Sequence, residues 1–433
     1  MAKHIHELDA LGAVEAIKAR RMTACDYARA LIARIEALEP EVRAWQHFET
    51  EQVLEQARRL DARRDLPALP LAGAAIGVKD IVDTAGMPTE NGTVLDAGRR
   101  PPADAAAVRR LREAGAIVAG KTVTTELAFM HPSRTRNPRN LRHSPGGSSS
   151  GSAAAVAAGM VPVALGSQTN GSVIRPASFC GVYGLKPTNG LFSREGVLEE
   201  APTLDTVGIF ARSLRDIAAV TQLLAGDLGA ACDYPRAARD ETAGARFGFV
   251  KTPVWPLAEK AAREVFENFA GALGAATLDL PPEFDHAIAF HRTIMLTEMA
   301  VSYAGYYERG RDRMSAAVRE AIEAGRAMLA VDYAMALRER EHLYEKFACL
   351  LEPYDAIITL PAPGPAPLGL ETTGNPIFCT IWTYLGVPAL NLPLLEVNGL
   401  PLGVQLVGLR FGEERLLQAA AWLMSNAGRT ELL

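Results

Sequence analysis

The sequence predicts an α/β fold, and three observations carry that. Short apolar runs of strand length recur at 71–82, 160–165, 246–250 and 354–360. Stretches with helical spacing of apolar residues lie between them. At 105–122 an amphipathic helix, Gly115 and a strand follow in direct succession, the helix–strand step of a crossover connection.

Taken in order, residues 9–60 read as helical, with Asp9 and Thr23 as N-caps and Ala28, Leu31, Ile32, Ile35 and Leu38 on one face. Leu71–Val82 (LAGAAIGVKDIV) reads as a buried strand carrying one lysine. Ala105–Glu113 is a helix and Ala116–Val118 a strand, followed by GKT at 120–122. Ser152–Gly159 has the alanine content of a helix, and Met160–Leu165 reads as a strand. A surface helix is expected over 212–226 and a strand over Arg246–Val250. Residues 256–350 are charged and helical, a cap or side layer. Tyr354–Leu360 is a buried strand, followed by the loop PAPGPAPLG. NLPLLEVNGLPLGVQLVG is a hairpin with Asn398-Gly399 as its turn, and a last helix covers 413–425. No repeat or linker divides the chain. One domain over 1–433 is expected, with N-terminal helices (1–65), a core (70–225), the helical region (256–350) and a C-terminal part of the core (354–433).

The 433 residues are 48% hydrophobic, enough for a large core, but only 6% aromatic, so small side chains must do much of the packing. With 45 basic against 50 acidic residues, interspersed along the chain, the net charge of −5 gives no nucleic-acid footprint. The five cysteines form no CxxC pair, which suits a reducing compartment rather than a disulfide framework or zinc ribbon. The N-terminus lacks the apolar core of a secretory signal, and no run is long enough to span a bilayer. A cytoplasmic protein without nucleic-acid or membrane partners is expected.

The chemistry concentrates in PGGSSSGSAAAVAAGMVPVALGSQTNGSVIRPASFCGVYGLKP, residues 145–187. Two Gly/Ser runs, Gly146–Ser152 and Gly166–Ser172, flank one small-residue segment and bring hydroxyls and backbone N–H groups to one place. On composition alone the first run fits a loop, a helix N-cap or an anion site. GGSSSGS lacks the ending of a phosphate-binding loop, and GKT at 120–122 is not assigned to one. Ser172, on a turn after a buried strand, suits a nucleophile beside converging N–H groups, and equally an ordinary turn serine. Lys79 in its apolar run is either a lysine that loses its proton on burial, and so a general base, or an ion-pair partner of Asp80 or Asp83. His131 and His143 sit in a polar loop and offer no clear triad base.

These residues resemble the amidase signature family. The resemblance runs through GVKDIVDTAGMPT (77–89), DAAAVRRLREAGAIVAGKT (104–122), PGGSSSGSAAAVAAG (145–159), GS-x-T-x-GS (166–172), CGVYGLKPT (180–188) and LDTVGIFARS (204–213), and returns between 385 and 408. It is strongest over 70–225. It implies the amidase signature fold: a large mixed, twisted sheet covered by helices on both faces. It also implies catalysis by Lys79, Ser148 and Ser172. Lys79 is then the base and Ser148 the bridging serine, joined to Gly147 by a cis peptide. Ser172 becomes the nucleophile, under an oxyanion hole of backbone N–H groups from Thr169, Asn170, Gly171 and Ser172. No cofactor or metal is implied.

Two positions depart from the common pattern. Arg175 stands three residues after Ser172 rather than two, as in the malonamidase-like branch, where this arginine binds a substrate carboxylate; a structural salt bridge is the other expectation. Asn170 replaces a common glycine, which narrows the pocket or adds a hydrogen-bond donor. The function implied is hydrolysis of a small-molecule amide, carboxylate-bearing amides included, by a homodimer. A glutamine-hydrolysing subunit of a tRNA-dependent amidotransferase and a catalytically silent binding protein are the alternatives.

Overall fold

The computed structural model describes residues 5–240 and 244–427. Eleven strands form one mixed sheet. They are β1 (Trp45–Phe48), β2 (Ala75–Lys79), β3 (Ile117–Thr122), β4 (Val163–Gln168), β5 (Tyr183–Lys186), β6 (Thr206–Ala211), β7 (Phe247–Val250), β8 (Ala276–Leu278), β9 (Ala356–Thr359), β10 (Ala389–Val397) and β11 (Leu400–Val407). Their spatial order is β1-β3-β2-β4-β6-β5-β10-β11-β9-β7-β8. β2 runs parallel to both β3 and β4, while β6 and β5 turn the sheet antiparallel. Every residue of β2, β3, β4 and β6 is buried, which is why these strands read as continuous apolar runs rather than alternating ones.

The predicted caps form. Asp9 accepts the Gly12 N–H at 3.0 Å, and Thr23 and Asp26 close a reciprocal capping box. The continuous helical reading of 9–60 needs correction. Arg43 turns into the left-handed region (φ 56°), ends the Ala24–Val42 helix, and lets β1 pair with β3 before the next helix, Thr50–Asp61, begins. The 115–122 segment has the spacing of a phosphate-binding loop but runs as strand β3. Its Lys121 is buried and donates to Val82 O at 2.5 Å and Thr89 Oγ1 at 2.6 Å. At the C-terminal hairpin Asn398 and Gly399 have φ of 54° and 77°, the positive pair that a two-residue turn of this hand requires.

Residues 256–350 supply the Lys260–Ala272, Ala287–Ser302, Ala316–Arg326 and Ala330–Leu351 helices, together with edge strand β8, which the helical reading of this region omits. The Ala287–Ser302 helix packs against the Ile377–Tyr384 and Ala316–Arg326 helices. The first Gly/Ser run leads into the Ser150–Ala157 helix, and the second continues from the end of β4. Among the described residues, no helix is long and apolar enough to cross a membrane.

Candidate active site

Lys79 ends β2 and is completely buried. Neither neighbouring acid pairs with it: Asp80 lies 3.8 Å from Lys121, and Asp83 lies 2.6 Å from Arg99. Instead Lys79 Nζ sits 2.7 Å from Ser148 Oγ and 2.8 Å from Ser167 Oγ. Burial pushes its pKa down to about 7, against the opposing pull of Glu200 and Asp205. The amine is therefore poised to be a free base near neutral pH.

Hydrogen bonds separate the serines of the first run. Ser149 exchanges contacts of 3.2 Å with the Ser167 backbone, Ser150 donates to Gly146 O at 2.8 Å, and Ser152 donates to Leu165 O at 2.8 Å. These three hydroxyls hold main chain. Ser148 alone is turned to Lys79. The Gly147–Ser148 peptide is cis, as the resemblance implies. The preceding Gly146 has φ +86°, and a Cβ there would lie 2.8 Å from Pro176 Cα, so only glycine fits between the first run and the turn that follows Ser172.

That turn is built by three side chains and one backbone N–H. Gln168 Oε1 accepts the N–H groups of Val173 (2.8 Å) and Ile174 (3.0 Å), folding the chain back into the Ile174–Cys180 helix. His291 Nε2 lies 2.9 Å from Thr169 O, Thr383 Oγ1 donates to Asn170 O at 2.6 Å, and the Arg175 N–H donates to Gly171 O at 3.1 Å. A trans peptide points its C=O and N–H in opposite directions. Three successive carbonyls are thus held by partners, and the N–H groups of Asn170, Gly171 and Ser172 each point away from the held carbonyl of their own peptide. Among the described residues, these three N–H groups donate no hydrogen bond within the chain. A carbonyl only accepts, so His291 carries its proton on Nε2, and burial holds its pKa down at about 4, keeping the ring neutral. Gly171 lies so close to the 376–379 segment that a Cβ would stand 2.9 Å from Pro376 Cβ.

Ser172 is partly exposed at the end of this turn. The structure joins Lys79 to Ser148 and brings both serines to the same end of β2 and β4. Among the described residues, Ser172 Oγ makes no hydrogen bond, so the link from Ser148 to Ser172 is not formed here. Gln168 and Ser167 lie inside the motif GSQTNGS, where the sequence already pointed. His291 and Thr383 had no sequence signal.

Arg175 is buried and has no carboxylate partner among the described residues. Its Nη2 donates to Gly147 O at 2.6 Å and to Thr373 Oγ1 at 3.3 Å, while Nε and Nη1 are buried without a partner. Burial pushes its pKa down to about 10. The expected salt bridge is absent among the described residues, and the guanidinium braces the carbonyl of the residue before Ser148. Asn170 Oδ1 accepts from Thr380 Oγ1 at 2.7 Å, which fixes its amide at the wall of a cavity of about 450 Å³. The cavity lies between the Ala287–Ser302 and Ala316–Arg326 helices. Phe129, Ile288, Met295, Leu296 and Ile377 give it an apolar body, and Arg292 with Glu320 a charged rim.

The chain is similar to known proteins along almost its whole length. A glutamyl-tRNA(Gln) amidotransferase subunit of Symbiobacterium thermophilum is 34% identical over 454 aligned residues, covering 93% of each chain. The corresponding subunit of Geobacter metallireducens is 33% identical and covers 98% of each. Among solved structures, the peptide amidase of Stenotrophomonas maltophilia superposes with a TM-score of 0.84 at 28% identity, covering 98% of this chain and 97% of that one. The 6-aminohexanoate cyclic dimer hydrolase gives 0.84 at 26% identity, with the same coverage. The amidase family model matches residues 26–417, and the chain belongs to the amidase family.

Proposed function

We propose that this amidase-family hydrolase cleaves a small-molecule amide to a carboxylate and ammonia or an amine, through an acyl-enzyme on Ser172. Neutral Lys79 takes a proton from Ser148, and Ser148 takes one from Ser172, whose Oγ forms the bond to the carbonyl carbon. This transfer requires Ser148 Oγ and Ser172 Oγ to come within hydrogen-bond reach of each other. The N–H groups of Asn170, Gly171 and Ser172, with Thr169 as a fourth, hold the oxyanion; one such donor is typically worth ~3–4 kcal/mol. The relay then runs in reverse and protonates the departing nitrogen. Water next attacks the ester carbonyl, gives up a proton to the relay, and releases the carboxylate and Ser172.

The observation that carries this is the 2.7 Å contact between a fully buried lysine and Ser148, with no carboxylate of the described residues touching the amine. The apolar cavity beside Asn170 favours an amide with an apolar portion. Arg175, charged, bonded to Gly147 O and without a carboxylate partner among the described residues, favours a substrate carboxylate, as in the malonamidase-like branch. We further propose a homodimer that needs no other type of chain.

The second reading, a glutamine-hydrolysing component of a larger assembly, is favoured by the names of the curated relatives. The test is ammonia release by the purified chain from malonamate-like acids, aryl amides, short aliphatic amides, ureides and glutamine, with fluorophosphonate labelling of Ser172 read by mass spectrometry. Turnover of a small amide by the chain alone supports the first reading. Ammonia release from glutamine alone, and only with partner proteins present, supports the second. A chain whose Ser172 is never labelled would refute both.

A further inference from the structure

Behind the lysine lies a second cluster of ionisable groups that the relay does not use. Ser167, whose Oγ contacts Lys79, also lines a narrow cavity of about 10 Å³, the size of roughly one water. Thr169, Glu200 and Asp205 line the same cavity. Glu200 is only 4% exposed, in contrast to the exposed Glu199 beside it.

The two carboxyls are not equivalent. Asp205 accepts Thr169 Oγ1 at 2.6 Å and the N–H groups of Glu200 (2.8 Å) and Ala201 (3.0 Å), and Arg194 stands 4.0 Å away. These contacts favour its charged form. Glu200 has only the Thr169 hydroxyl in place of that set, and both its burial and the Asp205 charge resist its ionisation.

We propose that Glu200 is a positioning residue for the catalytic base: its carboxylate, buried behind Ser167, sets the pH at which Lys79 becomes a free amine. This rests on Lys79 being the base. Burial alone drives the amine to neutrality, and a buried anion nearby opposes that. Both Glu200 and Asp205 pull the Lys79 pKa upward, Glu200 the more strongly, and burial with the Asp205 charge holds the Glu200 pKa well above its usual range. The other polar groups around the cluster are already committed. Tyr303 donates to Leu127 O at 2.7 Å, and His291 is neutral on Thr169 O. Glu298 and Arg340 are both held at Thr203. Lys79, Glu200 and Asp205 are therefore left to respond to one another.

The test is the pH dependence of fluorophosphonate labelling of Ser172 in the full-length protein, wild type against Glu200→Gln and Glu200→Asp. Removing the carboxylate should move the acid limb to lower pH by about half a unit or more, a threefold change in proton concentration. Glu200→Asp, which keeps a carboxylate, should leave the limb near its wild-type position. A role in packing alone would lower the rate without moving the limb.

The coupling must also appear from the other side. In Lys79→Met, the titration of the Glu200 carboxyl, followed by carbon-detected NMR, should move to higher pH. A Glu200→Gln limb that coincides with wild type, or a Glu200 titration unchanged in Lys79→Met, overturns the proposal while leaving the Lys79 base intact. Labelling that does not depend on Lys79 overturns the base role, and this inference with it.

Discussion

Thr383→Val isolates the oxyanion turn from the relay. Thr383 is 1% exposed, donates to Asn170 O at 2.6 Å and accepts Gln168 Nε2 at 3.0 Å. Valine keeps the shape and removes the hydroxyl. Two buried groups then lose their partner, at a cost of about 1–3 kcal/mol each. The Asn170–Gly171 peptide loses the bond that turns the Gly171 N–H toward the substrate. Complete loss of one oxyanion donor costs about 10²–10³ in kcat. Arg175 N still holds the next carbonyl at 3.1 Å, so the turn is only partly released and a fall of about 10–100-fold is expected. The assay is ammonia release from whichever amide the chain turns over, with thermal unfolding measured alongside. kcat should fall with KM nearly unchanged, since a transition-state contact is lost. Thr383→Ser, which keeps the hydroxyl, should recover most of the rate. If Thr383→Val stayed within twofold of wild type, the pinned-carbonyl explanation of the turn would be wrong.

Other outcomes follow from the same geometry. Ser148→Ala and Ser172→Ala should each cut turnover by about 10³-fold or more, with circular dichroism unchanged. Arg175→Ala should slow carboxylate-bearing amides far more than neutral ones; equal losses would assign the guanidinium to bracing Gly147 only. Lys79→Met should be more stable than wild type at neutral pH. The unfolded lysine titrates near 10.5 and the folded one near 7, so between these values the unfolded state binds more protons and wild-type stability rises with pH. The advantage of Lys79→Met in urea unfolding, of order 3–5 kcal/mol at pH 7, should therefore shrink toward pH 10. An advantage independent of pH would mean that Lys79 is not the group responsible.

The parallel strands were legible because they are buried on both faces and so read as unbroken apolar runs. The hairpin was legible because Asn398-Gly399 has few other uses. β1 was not legible: it is four residues long, follows a residue in the left-handed region, and lies within otherwise helical spacing. At the site, Lys79 stood out as a charge in an apolar run, and the two Gly/Ser runs marked the place of the serines. Which serine of 148–152 faces the lysine was not readable from the residues themselves, since all four serines there suit a turn or cap; the resemblance pointed to Ser148. Hydrogen bonds separate Ser148 from the other three. His291 and Thr383 act on carbonyls 122 and 213 positions away in sequence, and no local pattern foretells such a contact. Glu199 and Glu200 are identical neighbours in sequence, and only the fold buries the second of them.

Nitrogen NMR of a lysine-labelled sample, with Lys79→Met identifying the Nζ signal, would follow the state of this amine directly. Titration near pH 7, with the signal shifted in Ser148→Ala, is the result expected of a base held against that hydroxyl. A Lys79 amine still charged at pH 9 would rule out the proton transfer on which the proposed chemistry depends.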